Sequence, residues 1–232
     1  MNGAPGPPAG PPPGIRTTAP GLERATHLVL VRHGEAACNV AGVVGGRRGC
    51  TGLSPNGLRQ AGVLAARLVE TGELSGATAL YASVLPRALE TAAIVAPGVG
   101  GGLAVVADCD LCELHPGEGD GLTWPEFSAR YGEPDWDRDP TTVLAPGGES
   151  WTGFVARAAA ALARLADRHR GETVVVVCHA GVVEASLITF VPAQGPRRLK
   201  LRTEHTSLTE WEHGAEGWRL LRYNDAGHLA LA

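Results

Sequence analysis

Four short apolar runs constrain the fold of this 232-residue chain more than any other feature of its sequence. They are LVLVR (28–32), TALYAS (78–83), LAVVAD (103–108) and TVVVVCH (173–179). They lack the regular alternation of polar and apolar residues that marks a strand with one solvated face, so they are typical of strands covered on both sides. Helical patterns lie between them. This order predicts an α/β fold, a three-layer sandwich in which helices flank a mostly parallel central sheet.

The helical segments have recognisable starts and apolar stripes. Ser54 is suited to cap a helix whose first residue is Pro55. Further helices are predicted over 86–96, 124–131 and 149–170, and after His179. The arginines of the 149–170 helix are predicted to lie on its outer face.

The two ends of the chain differ in character from the α/β region. Residues 1–24 hold seven of the 17 prolines and show no apolar periodicity. Such a segment cannot bury enough surface to offset its loss of conformational entropy, so a disordered tail is predicted, followed by one domain over 25–232. Whether the tail binds anything stays open. Near the C-terminus, LTEWEH (208–213) and WRLLRYN (218–224) predict an antiparallel hairpin.

Charge and residue usage exclude several classes of function. The 20 basic and 24 acidic residues give a formal net charge of −4, which argues against a nucleic-acid partner. No apolar run reaches the roughly 20 residues of a membrane span. Lys200 is the only lysine, and no GxxxxGK phosphate loop is present. Arginine and histidine must therefore carry any chemistry directed at anions.

The five cysteines are odd in number and scattered, which is typical of reduced thiols and predicts a cytoplasmic protein. Cys109-x-x-Cys112 raises a redox or a zinc interpretation. Zinc calls for a second cysteine pair or a histidine pair at ligand spacing, and the sequence shows neither. Two ordinary small residues beside a strand end are the favoured interpretation, with no metal and no cofactor expected.

Two histidines follow predicted strands directly. Arg32-His33-Gly34-Glu35 comes after the first strand, and Cys178-His179-Ala180-Gly181 comes after the most apolar one. Ligands of open α/β sheets bind at the carboxyl ends of the strands, and a helix N-terminus beside His179 favours an anion. Arg87, after the strand that ends near Ser83, lies at the same edge. Taken alone, His33 is either a nucleophile or a structural histidine.

Five motifs in sequence resemble the histidine phosphatase superfamily, the phosphoglycerate-mutase-like group, over about residues 27 to 223. The motifs are Arg32-His33-Gly34-Glu35 with Asn39, Leu53-Ser54-x-x-Gly57-x-x-Gln60-Ala61, Ser83-x-x-x-Arg87-Ala88-x-x-Thr91-Ala92, Glu113-Leu114-His115-x-Gly117 and His179-Ala180-Gly181. Each motif alone is weak evidence. Their shared order and spacing are specific to the superfamily as a whole, and the preference for its phosphatase branch rests on the segment after Glu113.

The resemblance implies a mechanism and a role for each site residue. His33 would attack phosphorus and become a transient phosphohistidine. Glu113 would be the general acid and then the general base. The groups expected to bind the phosphate are Arg32, Asn39, Arg87, His179, Ala180 and Gly181. No metal or cofactor is implied, because arginines neutralise the phosphate.

The chain departs from the family pattern after Glu113. Gly117-Glu118-Gly119-Asp120-Gly121 stands where the family often has G-x-W-E-G, so Glu118 and Asp120 are second candidates for proton transfer. Ser83 and His205 are further candidates for the pocket. Of the remaining histidines, His115 is expected to lie nearest the site.

Three functions remain open, with phosphomonoester hydrolysis preferred. A cofactor-dependent mutase would carry a longer insertion after Glu113 and paired arginines for a carboxylate. Here Arg197-Arg198, the one late arginine pair, follows His179. A non-catalytic phosphate-binding module would tend to lose the nucleophile or the acid, and both are present. The expected partner is a small phosphorylated substrate, handled by a monomer or a homodimer.

Overall fold

The computed structural model describes residues 24–191 and 201–231. The predicted tail lies outside these ranges, apart from Arg24, and so does the Arg197-Arg198 pair. Within them, the central sheet has six strands in the order β3-β2-β4-β1-β5-β6. The strands are β1 (Thr26–Arg32), β2 (Ala79–Ala82), β3 (Val105–Ala107), β4 (Thr173–Cys178), β5 (Leu208–Gly214) and β6 (Gly217–Asp225).

The sheet combines a parallel part with an antiparallel edge, as predicted. β1 pairs with β4, β4 with β2 and β2 with β3, all in parallel. On its other side β1 pairs with β5, and β5 with β6, in antiparallel register. β1 and β4 are therefore central, and the two strands that precede His33 and His179 are direct neighbours.

The apolar runs are buried because helices cover both faces of the sheet. The helices are α1 (Ala37–Ala41), α2 (Pro55–Thr71), α3 (Pro86–Val95), α4 (Trp124–Tyr131), α5 (Trp151–Arg168) and α6 (Ala180–Phe190). Val29 of β1 packs with Leu64 of α2, while the next residue, Leu30, packs with Leu162 of α5 on the opposite face. Alternate residues of each strand thus enter different cores, which confirms the three-layer sandwich.

Capping explains where the long helices begin. The Ser54 side chain accepts a hydrogen bond from the Gly57 backbone at the start of α2, and Ser150 does the same for Gly153 in α5. The sequence did not predict α1, which has only five residues and therefore shows no helical period. Among the described residues, no helix is long and apolar enough to cross a membrane.

Candidate active site

The loop that follows β1 holds His33 at the carboxyl edge of the sheet. Its backbone is fixed by Thr91 of α3, whose hydroxyl accepts from Gly34 N at 3.1 Å, and by Gln60 of α2, which accepts from Glu35 N at 2.9 Å. The loop packs so closely on α2 that a Cβ at Gly34 would lie 2.6 Å from the Gly57 carbonyl oxygen. Several motif residues named above therefore position the histidine rather than touch a ligand.

The His33 ring is oriented by a backbone acceptor. Its Nδ1 lies 2.6 Å from the Gly34 carbonyl oxygen, which can only accept, so Nδ1 carries the proton and Nε2 presents a lone pair. Arg87 Nε donates to that Nε2 at 3.1 Å. Burial, then the charges of Arg87 and Arg32, hold the pKa of His33 well below its usual value. The ring is therefore neutral at pH 7, the state that a nucleophilic nitrogen requires.

Two arginines supply the positive charge around His33. Arg87 begins α3 and also donates from Nη1 to the Gly45 carbonyl oxygen at 2.7 Å. Arg32 donates to the Thr203 carbonyl oxygen and contacts His205 Nε2 at 2.9 Å. Arg32 Nε is buried and has no partner among the described residues, so this donor is free to meet an anion.

His179 adds a third nitrogen donor to the same cluster. Its ring centroid is 5.0 Å from that of His33, and Nε2 lies 2.8 Å from the Ser83 hydroxyl. Its Nδ1 is buried without a partner in the described part of the chain. Ser83 Oγ also lies 3.3 Å from Cys112 Sγ; when its proton is donated to His179 Nε2 rather than to that sulfur, Nδ1 carries the imidazole proton and can donate to an anion. Burial and the charge of Arg87 lower the pKa of His179 well below its usual value.

Glu113 faces this cluster from the loop after β3. Its Oε2 accepts from the Gly181 backbone at the start of α6 at 3.1 Å, and its Oε1 accepts from Leu114 N at 3.2 Å. A Cβ at Gly181 would overlap Glu113 Oε1 and approach Phe154 to 3.0 Å. Glycine at 181 therefore makes room for the carboxylate.

Arg157 of α5 holds the loop that carries Glu113. It donates to the backbone carbonyls of Asp110 and Cys112 at 2.9 and 3.1 Å, and pairs with Glu149 at 2.7 Å. The arginines of α5 were predicted to lie on an outer face. That prediction is wrong for Arg157, whose side chain is 15% exposed; no local sequence signal separates it from the other arginines of that helix.

The remaining candidates occupy different places. Asn39 and Ala180 line the same cavity as His33, and His205 lies with its ring centroid 5.8 Å from that of His33. Asp120 does not line that cavity: its carboxylate accepts from the backbone N–H groups of Gly46, Arg48 and Gly49 at 2.8–2.9 Å. Glu118 is exposed. Asp120 therefore stabilises the loop that contains these three N–H groups.

The sequence places the cavity wall in residues 43–48 and 114–145 but does not identify which side chains form it; the cavity has a volume of about 600 Å³. The wall is rich in apolar and aromatic side chains, and its large members are Trp124, Phe127, Trp136, Leu144 and Trp151. They come from α4, α5 and the loop between these helices, which converge only in the folded chain. The scattered tryptophans were the one available signal.

Substitution of Gly181 with alanine is expected to displace Glu113. The added methyl group should cost about 1–3 kcal/mol of unfolding free energy and lower kcat/KM by at least about 10-fold through the misplaced carboxylate. Gly62→Ala is the matched control, because a Cβ there meets nothing within 4 Å in the middle of α2; it should stabilise the protein by roughly 0.5–1 kcal/mol. Unchanged phosphatase kinetics in Gly181→Ala would contradict this placement.

The lowered pKa values of His33 and His179 predict loss of stability in mild acid. Below about pH 6.5 the unfolded chain protonates both histidines, whereas the folded protein keeps them neutral. The free energy of unfolding should therefore fall as the pH drops from 6.5 to 5, by up to about 1.4 kcal/mol per pH unit for each histidine. Urea unfolding across this range measures the slope. His33→Gln should make the unfolding free energy depend less steeply on pH, and an unaltered slope would refute the lowered pKa of His33.

Comparison with known proteins gives a consistent result across the chain. A sequence model of the Histidine phosphatase superfamily (branch 1) matches residues 28–226. The chain is 34% identical to "Phosphoglycerate mutase-like protein 4" of Arabidopsis thaliana over 206 residues, which cover 87% of this chain and 86% of that one. It is 32% identical to the "Metal-independent phosphoserine phosphatase" of the same plant over 210 residues, 88% and 84% of the two chains.

Solved structures show the same fold. Bacillus stearothermophilus YhfR superposes with a TM-score of 0.74 at 31% identity, covering 88% of this chain and 100% of that one. A mycobacterial glucosyl-3-phosphoglycerate phosphatase superposes with a TM-score of 0.68 at 27% identity, over 85% and 98% of the two chains.

Proposed function

This chain belongs to the histidine phosphatase superfamily (branch 1), and on that premise we propose that it hydrolyses phosphate monoesters through a phosphohistidine on His33. One observation carries the proposal. The Nε2 of a buried, neutral histidine lies 3.1 Å from Arg87 Nε in a cavity that Glu113 also lines. A nucleophile, a cation for the phosphate and a proton donor thus share one site.

In the first step, the phosphate displaces Arg87 from the His33 lone pair. His33 Nε2 forms the bond to phosphorus while the ester P–O bond breaks. Arg32, Arg87 and His179 Nδ1 donate to the phosphate oxygens, where negative charge spreads in a loose transition state. The Asn39 side chain and the Ala180 backbone N–H add neutral hydrogen bonds, while the Gly181 N–H stays on Glu113. Protonated Glu113 gives its proton to the leaving alkoxide.

In the second step, water attacks the phosphohistidine. The Glu113 carboxylate accepts a proton from that water, the P–N bond breaks, and inorganic phosphate leaves with the nitrogen lone pair returned to His33. Glu113 thereby regains its proton for the next cycle. No metal ion enters either step, because the charges of Arg32 and Arg87 offset that of the phosphate. We assign proton transfer to Glu113 rather than to Asp120 or Glu118. The Asp120 carboxylate is engaged with backbone N–H groups of a loop, and Glu118 is exposed at the surface.

The cavity wall supports a particular class of substrate. Outside the phosphate cluster it offers aromatic rings and one carboxylate, Glu133, and among its described residues the basic side chains are Arg32 and Arg87, which the phosphate occupies. A carboxylate elsewhere on the substrate would find no further cation in this described lining. We therefore assign a substrate whose organic part is apolar or aromatic and carries no negatively charged group. Five free thiols favour a cytoplasmic setting.

A comparison of two alkyl phosphates tests both the reaction and the substrate class. 2-Phenylethyl phosphate and phosphoserine have similar alkoxide leaving groups. Only phosphoserine carries an ammonium and a carboxylate group in addition to its phosphate. We expect turnover of both in the presence of EDTA, with kcat/KM at least about 10-fold higher for the phenylethyl ester. Trp136→Ala should reduce that preference by raising KM.

Other outcomes would contradict these proposals separately. Loss of all activity in EDTA would refute the metal-free reaction. A preference for phosphoserine would refute the substrate class and leave the reaction intact. Interconversion of 2- and 3-phosphoglycerate that exceeds hydrolysis, with a bisphosphoglycerate primer, would assign the site to a mutase.

A further inference from the structure

Two thiols and one imidazole that the proposed mechanism does not use meet beside the active site. Cys109 begins a single 3-10 turn and Cys112 follows its end, so that their Sγ atoms lie 3.8 Å apart. His115 places Nε2 4.0 Å from Cys109 Sγ. One ligand atom from each of the three residues lies within 4.8 Å of the other two. The sequence shows no histidine pair, but this single histidine, three residues after Cys112, joins the two cysteines in the folded loop.

These separations match those between ligands of one tetrahedral metal ion. Zinc–sulfur bonds are about 2.3 Å and zinc–nitrogen bonds about 2.0–2.1 Å, so two thiolates on one zinc are roughly 3.8 Å apart and a thiolate and an imidazole roughly 3.6 Å. The Cys109–Cys112 distance already has this value, and the Cys109–His115 distance exceeds it by a few tenths of an ångström. The ligand atoms of Cys112 and His115 lie within 4.8 Å of each other, so side-chain rotations that shorten this third separation would complete the site.

The His115 ring is also oriented as in metal centres. Its other nitrogen, Nδ1, lies 3.5 Å from Glu149 Oε2, and Glu149 is itself held by Arg157 at 2.7 Å. Histidines that bind metals almost always give their second N–H to a carboxylate or carbonyl, which fixes the tautomer and the direction of the ring. Here the carboxylate lies close to Nδ1, and a small rotation of either side chain would form that hydrogen bond.

An ion can reach this cluster. Cys109, Cys112 and His115 line a second cavity, of about 300 Å³, and the histidine side chain is 40% exposed. Arg47 covers Cys109, to which its Nη2 donates at 3.0 Å, but Arg47 is at the surface and can move aside. The open side of the cavity leaves a fourth coordination position for water or another small ligand.

We propose that Cys109, Cys112 and His115 form a binding site for one thiophilic divalent metal ion, with zinc as the favoured occupant. Two thiolates and an imidazole suit zinc, whereas magnesium prefers oxygen ligands. Glu113 lies between two of the ligands, so the ion would occupy the wall of the active site. The inference does not depend on the phosphatase activity, because binding itself is the measured quantity.

Metal titration of the fully reduced protein tests the site. With a phosphine reductant and a chromogenic zinc chelator as competitor, one zinc ion should bind per chain. Cobalt(II) should bind in its place and give the near-ultraviolet thiolate charge-transfer band of a sulfur-ligated ion. Cys109→Ser and His115→Gln should each weaken zinc binding by at least about 10-fold, and Glu149→Gln should weaken it about 10-fold through the imidazole.

Matched variants separate this site from other thiols and histidines. Cys50→Ser and His213→Gln alter residues of the same types elsewhere in the fold and should leave the stoichiometry and affinity unchanged. Magnesium should not compete. Retention of full zinc affinity in Cys109→Ser, or its loss in Cys50→Ser, would overturn the proposal. Cys109 is partly exposed, so its serine variant should fold, and thermal unfolding of each apo variant checks this.

Discussion

Replacement of His33 with alanine is expected to lower kcat/KM for an aryl phosphate by on the order of 10⁴-fold or more. The imidazole is the group placed to form the bond to phosphorus, and no described side chain can substitute for it. His179, the nearest other ring, has its Nε2 engaged with Ser83 at 2.8 Å. Acid-free rapid quench of the wild type with ³²P-labelled substrate should trap a base-stable, acid-labile phosphoenzyme that His33→Ala lacks.

The control for this substitution is a histidine remote from the cavity. His213 stacks on Trp218 with ring centroids 4.4 Å apart, and His213→Ala should keep wild-type turnover. Because His33→Ala removes a buried ring, circular dichroism and thermal unfolding must show that the variant is folded. A folded His33→Ala protein that retains more than a few per cent of wild-type activity would exclude the phosphohistidine.

Glu113→Gln is expected to lower kcat by about 10²- to 10⁴-fold, with a dependence on the leaving group that identifies its role. The fall in kcat should be larger for alkyl phosphates than for 4-nitrophenyl phosphate, because nitrophenolate leaves without a proton. For the activated ester, breakdown of the phosphoenzyme should become rate-limiting, since glutamine cannot take a proton from water. A burst of nitrophenolate, stoichiometric with enzyme, measures this accumulation.

Glu118→Gln is the matched control, because Glu118 lies in the same loop. It is exposed and accepts a hydrogen bond from the Tyr131 hydroxyl at 3.1 Å. Its substitution should change kcat by less than about two-fold. If Glu113→Gln lowered kcat equally for alkyl and nitrophenyl esters and showed no burst of nitrophenolate, this carboxylate would not be the group that transfers protons.

The sequence predicts well that His33, His179 and Arg87 lie close together, because local patterns determine their positions. His33, His179 and Arg87 each follow a buried strand, and parallel strands end at one edge of a sheet. The same apolar runs predict the layers and the order of the helices. Glu113 lies in a loop that has no regular pattern, so only the family resemblance identifies it as a candidate site residue.

The parts that could not be predicted depend on contacts between distant segments. Glu113 is held by the backbone of Gly181 and, through its loop, by Arg157, and neither partner has a signature that points to position 113. Asp120 has the right chemistry for proton transfer, but its bonds to three backbone N–H groups are visible only in the folded loop. His115 differs, because it is local: it follows Cys112 by three residues, and the 3-10 turn at Cys109 brings the three side chains together.

The sheet order also has a consequence for how the protein matures. His33 follows β1, yet the partners of β1 are β4 and β5, which are synthesised only after α5. The Thr206 backbone, later still than β4, donates to the Arg32 carbonyl oxygen at 2.9 Å. A nascent chain therefore holds β1 without its sheet partners until α5 has been made. The folding of β1 depends on long-range pairing, and the cluster around His33 assembles only after both partner strands have been synthesised.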